Sequence, residues 1–198
     1  IRLGTTALGV FHCPSRRAVR LYPHDSASTP PLNPFGVDGV MVERHELPSI
    51  ARMCYCMNGG TVNLGHPGLP LTIDQAPIFT GWVDTSVCNG VNFQRSQLRI
   101  SEITDGTSNT YLIGEKNVNP DCYTTFSRPG DSQTMFNGWD EDNVRYAGAE
   151  TRGDVTQEYR LTPDTPGVEA QQCFGGPHPG VCMFVFCDGS VRSIDYAI

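Results

Sequence analysis

The sequence predicts a mostly β, α+β fold: an antiparallel sheet carrying long ordered loops and stapled by disulfides. Three observations predict it. The 198 residues hold 21 glycines and 15 prolines, and both types disrupt helix interiors. VCMFVFC at 181–187 meets SVRSI at 190–194 across Asp188-Gly189, and Asp-Gly between strand-like runs is a strong hairpin signal. Eight cysteines (Cys13, Cys54, Cys56, Cys88, Cys122, Cys173, Cys182 and Cys187) form an even set in a loop-rich chain. That favours disulfides in an oxidising compartment over a metal or a mixed thiol set, with the connectivity open.

The elements follow in order. LGVFHC at Leu8–Cys13 reads as a short strand running into Pro14, and 26–36 as loop. Val37–Glu43 and Ala51–Met57 read as strands, the second stopped by Asn58-Gly59-Gly60. The stretch 61–77 is Gly- and Pro-rich loop, and Ile78–Trp82 a further strand. LRISEI at Leu98–Ile103 alternates apolar and polar residues. Asp105-Gly106 turns the chain into a buried strand, Tyr111–Ile113, ending at Gly114-Glu115. Asn117–Gly176 is a long polar excursion, which in a compact domain implies function or tight pinning. In the terminal hairpin the first strand is apolar on both faces and so central. The second carries Arg192 and Asp195 and so lies nearer an edge. A two-residue turn pairs Phe186 with Val191 and Val185 with Arg192.

Composition bounds the function. With 38% apolar residues the chain suits one globular domain over 1–198 with a real core. A net charge of −7 and a pI near 5.1 exclude nucleic acid and anionic lipid surfaces as partners. Lys116 is the only lysine. No stretch of about 18 apolar residues occurs, so no membrane span is expected. The chain begins at Ile1 rather than Met, which reads as an internal cut point with an N-terminal segment missing.

Candidate sites are few. His178 and Asp188 flank the strand 181–187; at about 3.3 Å per residue they lie roughly 30 Å apart. They are therefore read as scaffold residues, His178 pinning the loop and Asp188 opening the turn, with Gly189 supplying positive φ. Cys173, His178, Cys182 and Cys187 have C-x4-H-x3-C-x4-C spacing, which fits no common zinc knuckle. Asp105 with Asn109, and Asp140 with Asp142, are oxygen-donor pairs suited to calcium. Asp-Gly-Thr-Ser-Asn-Thr is more simply a self-bonded turn. No cofactor is therefore expected, and calcium at these two pairs is the candidate kept open. No nucleophile elbow, papain-like cysteine setting, zinc-protease helix, phosphate loop or dinucleotide fingerprint occurs, so no enzyme is expected and no catalytic residue is assigned. Arg152-Gly153-Asp154 is given no role.

FGGPHPGVCMFVFCDGSVRSI, with His178 nine residues before Asp188-Gly189, resembles the C-terminal signature of a family of prepilin-type proteins of unknown function, abundant in planctomycete-type bacteria. FHCPSRR at 11–17, ISEITDGTSNTYLIGEK at 100–116 and NGWDEDNVRY at 137–146 are similar to further family segments, in the same order. The resemblance implies a prepilin leader, an apolar N-terminal helix packed on the sheet of a pilin-like globular domain, and export. The location is then extracytoplasmic: periplasmic, cell surface or extracellular. The expected role is a structural or assembly subunit of a pilus-like, secretion or cell-surface filament, with self-association or other pilin-like subunits as partners. The alternative is an extracellular module binding carbohydrate or peptide near Trp82, Trp139 and Tyr146, and the third option a secreted hydrolase.

Overall fold

Strands form where the sequence offers two faces of different polarity. The computed structural model describes residues 3–24, 48–65, 73–125, 130–136 and 139–198. Their centre is a five-stranded sheet ordered β5-β3-β4-β8-β9. These are β3 (Tyr55–Asn58), β4 (Tyr111–Glu115), β5 (Val144–Arg145), β8 (Val181–Phe186) and β9 (Val191–Asp195). Two small antiparallel pairs flank it: β1 (Tyr22–Pro23) with β2 (Ser49–Ile50), and β6 (Gly148–Arg152) with β7 (Val155–Tyr159). The expected strand 37–43 lies outside the described residues.

β8 sits between β4 and β9. It buries Cys182, Phe184 and Phe186 on one face and leaves Val181, Met183 and Val185 half-buried on the other. The buried face joins Cys56 and Phe174 in a core that Tyr111, Leu161, Ile194 and Tyr196 complete. Tyr111 stacks on Phe184 at 4.2 Å and meets Phe186 edge-on at 5.1 Å. A bulge between Tyr111 and Ile113 lets β4 present both an aromatic inward and Ile113 outward.

Several expectations need correction. The fold is mostly β, not α+β: the longest helical run among the described residues is a six-residue 3-10 segment, Ile73–Ile78. The sheet is mixed, because β5 runs parallel to β3 while the other pairs are antiparallel. The hairpin loop has three residues, Cys187, Asp188 and Gly189: Val185 pairs with Val191 rather than Arg192, and Phe186 N–H donates to Ser190 O at 2.8 Å. Gly189, at φ +83°, closes it, as in hairpins whose last loop residue is left-handed.

Leu8–Cys13 is no strand, because local bonds take its backbone. Phe11 N–H donates to Leu8 O and His12 N–H to Gly9 O, making a 3-10 turn. Arg16 and Arg17 N–H then both donate to Cys13 O. Leu98–Ile103 similarly becomes a 3-10 turn at Ile100–Glu102; Arg99 N–H donates to the Glu102 carboxylate at 2.6 Å. Ile78–Trp82 is the end of the 3-10 segment and coil.

The disulfide staples are also absent: none of the eight cysteines is disulfide-bonded. Cys56 and Cys182 act as small apolar core residues. Their thiols donate to successive β4 carbonyls, Gly114 O at 3.7 Å and Glu115 O at 3.8 Å. Cys187 sits in the hairpin loop, and Cys173 bridges to Tyr146.

Buried ions do the stapling instead. Arg52, Arg145, Lys116 and Glu115 are among the largest fully buried side chains. Asp131 receives a bidentate pair from Arg17 at 2.7 and 2.9 Å, with Lys116 Nζ at 3.0 Å and Arg52 at 3.4 Å. Burial alone would raise its pKa; Arg17 and then Lys116 overcome that and hold the carboxyl well below its usual range. Asp142 goes the other way, pushed up to about 7 by burial, with Asp140 and Asp131 adding to it against Lys116.

Removing one partner of a buried ion cluster leaves uncompensated charge. Asp131→Asn is expected to destabilise the fold by about 3–5 kcal/mol, read from urea denaturation. The pH signs follow from linkage. A depressed Asp131 gives stability that is present above about pH 4 and lost as pH falls below it. A raised Asp142 makes stability fall as pH rises from about 4 towards about 7. Asp142→Asn should flatten that slope in melts taken across the interval, whereas Asp131→Asn should remove the acid-side loss.

Candidate functional site

Three segments remote in sequence meet at one end of the central sheet. The turn after Gly9–Phe11 carries Cys13, and β4 ends in Glu115. Gly175-Gly176-Pro177-His178 leads into β8. Cys54 N–H donates to Phe11 O at 2.8 Å, fixing the first segment against the lead into β3. Gly175 N–H donates to Glu115 O at 2.9 Å, fixing the third against β4. Glycine is needed there: a Cβ on Gly176 would stand 2.6 Å from Glu115 Oε2.

Arg16 ties the three together. Its guanidinium donates to Cys54 O at 3.0 Å, Lys116 O at 2.7 Å and Gly175 O at 3.2 Å, and pairs with Asp164 at 2.9 Å. All these groups are buried. Burial would lower the guanidinium pKa, but Asp164 chiefly holds it charged.

The convergence brings Cys13 Sγ to 3.6 Å from His178 Nε2, and Glu115 Oε1 to 3.2 Å from the same nitrogen. All three atoms lie within 4.8 Å of one another. Cys13 and Glu115 are buried, while the His178 side chain is 30% exposed. Met183 N–H donates to Glu115 Oε2 at 3.2 Å, leaving Oε1 turned towards the histidine. Burial, and then Glu115, push the Cys13 thiol pKa up. Nearby Tyr55 is pushed up to about 12 by burial, with Cys13 and Glu115 adding.

The arrangement is unlike a nucleophile relay, in which the base receives the nucleophile on one ring nitrogen and its orienting carboxylate on the other. Here thiol and carboxylate approach the same nitrogen, and the thiol is closed off from substrate. A sulfur, a nitrogen and an oxygen aimed at a common centre is instead the donor set of a divalent metal.

Beside this cluster the outer face of the sheet is apolar. Met57, Ile113, Val185 and Val191 align in register across β3, β4, β8 and β9. With Phe11, Met53 and others they line a trough of about 920 Å³. Tyr55, the cross-strand partner of Glu115, and Met183, which binds its carboxylate, line the same trough. The cluster therefore sits at the trough's end.

The sequence-predicted residues are placed as follows. His178 and Asp188 flank β8 with separate partners: Asp188 accepts from Ser190 N–H and pairs with Arg192 at 3.6 Å. Of Cys173, His178, Cys182 and Cys187, only His178 joins a ligand cluster among the described residues. Asn109 spends its amide on Asp105 O, closing a turn on itself. Asp140 accepts from Asp142 N–H, and Asp142 from Ser132 Oγ at 3.4 Å. Tyr146 is buried against Tyr159 with Trp139 packed on them, and Trp82 meets Phe79 edge-on beneath the Arg95 guanidinium. Arg152 ends β6 and Gly153-Asp154 is the β6–β7 connection. Cys13 and Glu115 were not legible as partners of His178, because local spacing does not link residues so far apart in sequence. The usable signal was that three separate segments of the family resemblance each hold ligand-type residues, Cys13, Glu115 and His178 among them.

Fold and cluster define a mostly β protein organised around a buried Cys-Glu-His site. Residues 2–198 match the model of the family described as "Protein of unknown function (DUF1559)", and the chain belongs to that family. No curated protein and no solved structure matches it.

Because the Gly176 backbone presses on the Glu115 carboxylate, Gly176→Ala should displace Glu115. The expected cost is about 1–3 kcal/mol, the usual range for overpacking. Thermal denaturation checks it, with Gly153→Ala as the control position open to solvent but strained at φ +58°.

Proposed function

We propose that this protein is a structural or assembly subunit of a pilus-like, secretion or cell-surface filament, working outside the cytoplasm. Its trough seats an apolar helix of the prepilin type. The observation that carries this reading is the aligned row Met57-Ile113-Val185-Val191 on the outer sheet face. Four strands at about 4.8 Å spacing span roughly 14 Å. An α-helix with its side chains is about 10–12 Å across, so one helix fits the trough lengthwise. The exposures of Met57 at 37% and Val191 at 63% leave an apolar patch of the kind that marks an interaction surface. The helix that the prepilin resemblance implies is the natural occupant.

An unpaired carboxylate facing an apolar helix costs well over the 1.4 kcal/mol that makes a tenfold change in binding. In the source bacterium, Ile113→Asp or Val185→Asp should therefore lower the protein's share of sheared, sedimented surface filaments at least about tenfold. Far-UV circular dichroism of the purified chain should stay unchanged. Wild-type protein never found in filaments, or both variants found there at wild-type levels, would refute the reading.

A further inference from the structure

We propose that Cys13, Glu115 and His178 bind one zinc ion, with water as the fourth ligand, and that this ion is the staple holding three remote segments together. The proposal is independent of the helix-seating reading.

The geometry is that of a tetrahedral site. With Zn–S near 2.3 Å and Zn–N and Zn–O near 2.0–2.1 Å, tetrahedral edges are about 3.6 Å for S···N and about 3.4 Å for N···O. The corresponding separations are 3.6 Å and 3.2 Å. These two edges match, and the third, Cys13 Sγ to Glu115 Oε1, is within 4.8 Å, so small side-chain rotations bring the three donors to one centre.

Two further observations point to an ion. Glu115 Oε1 is buried and makes no well-formed hydrogen bond; what faces it are the other two members of the cluster, His178 Nε2 at 3.2 Å and the Cys13 thiol. Buried carboxylate oxygens are costly unless paired or metal-bound. The second is the shared nitrogen. Nε2 has either one hydrogen or one lone pair, so it cannot satisfy the thiol and the carboxylate together. A cation between them takes the lone pair of the neutral imidazole, the carboxylate and the thiolate at once. On binding, the Cys13 S–H bond breaks, a Zn–S bond forms and the proton passes to water. One thiolate and one carboxylate then balance the dication, and no net charge stays buried.

The donor set selects the metal. Calcium and magnesium take oxygen ligands, whereas mixed sulfur, nitrogen and oxygen donors suit zinc. Three protein ligands leave one position for water, which can reach the site because the His178 side chain is 30% exposed. Met183 N–H holds the other carboxylate oxygen at 3.2 Å, the kind of outer support that orients a ligand. Pro14 and the Pro177 and Pro179 pair stiffen two of the ligand segments. Cys13 and His178 are 165 residues apart, so the ion closes a very long loop, as a disulfide would.

The test uses the purified full chain, stripped with chelator and dialysed. Zinc titration should show one equivalent bound, and the melting temperature should fall on stripping and return with zinc. Cobalt(II) in place of zinc should give a thiolate-to-cobalt charge-transfer band with tetrahedral d–d absorption. Cys13→Ser should lose the charge-transfer band. His178→Ala should weaken binding by more than the roughly 10–100-fold typical of losing an outer-shell partner. Cys187→Ser, in the distant hairpin loop, should bind like wild type. If a variant does not fold, the wild-type cobalt spectrum and reversible melting shift decide. Failure of the stripped wild type to take up zinc, an octahedral cobalt spectrum without a thiolate band, or equal binding by folded wild type and His178→Ala each overturns the proposal.

Discussion

The structure hangs on one buried guanidinium. Arg16 donates to carbonyls on three chain segments and pairs with Asp164 on a fourth. Cys54 O also takes the Lys116 N–H at 3.1 Å, and a buried carbonyl left unpaired costs about 1–3 kcal/mol. Moving any one segment therefore strips the guanidinium of a partner and strands part of a buried charge. Next to it, Asp131 gathers Arg17, Lys116 and Arg52 in the same way. Such ion clusters are weak evidence for net stability, because desolvation offsets most of the attraction. They do impose one arrangement on segments that have little regular secondary structure of their own.

That constraint explains the two functional features together. Arg16 sits three residues after Cys13 and bonds to the residue after Glu115, Lys116, and to Gly175, close before His178. The positioning of the cluster is thus a by-product of the ion network and not of a local motif. The same sheet that ends in Glu115 turns its other residues outward as the apolar trough. Tyr55 and Met183 belong to both, so a helix seated in the trough would lie against the cluster's flank.

Legibility varied with the source of order. β8 and β9 were readable because two strand-like runs meet across Asp188-Gly189, and β4 because a short apolar run follows the Asp105-Gly106 turn and ends at Gly114. The stretches at Leu8–Cys13 and Leu98–Ile103 carried similar residues but bond to themselves, through Cys13 O in one case and the Glu102 carboxylate in the other. Periodicity does not reveal whether a partner strand exists. The cysteines misled for a related reason: their number suggests disulfides, but Cys56 and Cys182 point their thiols at β4 carbonyls. The β6–β7 hairpin, exposed along most of its length, has no apolar alternation to announce it.

By itself the sequence determined the terminal hairpin with Gly189 in its turn, the break at Pro14 and the short strand β4, because each rests on local turn chemistry. It also carries the family of unknown function, because that match over residues 2–198 is one of sequence alone. Tertiary structure alone decided that Cys13, Glu115 and His178 meet. Nothing in their local spacing encodes it, since a buried guanidinium and close glycine backbones, acting across 165 residues, bring the three side chains to one point.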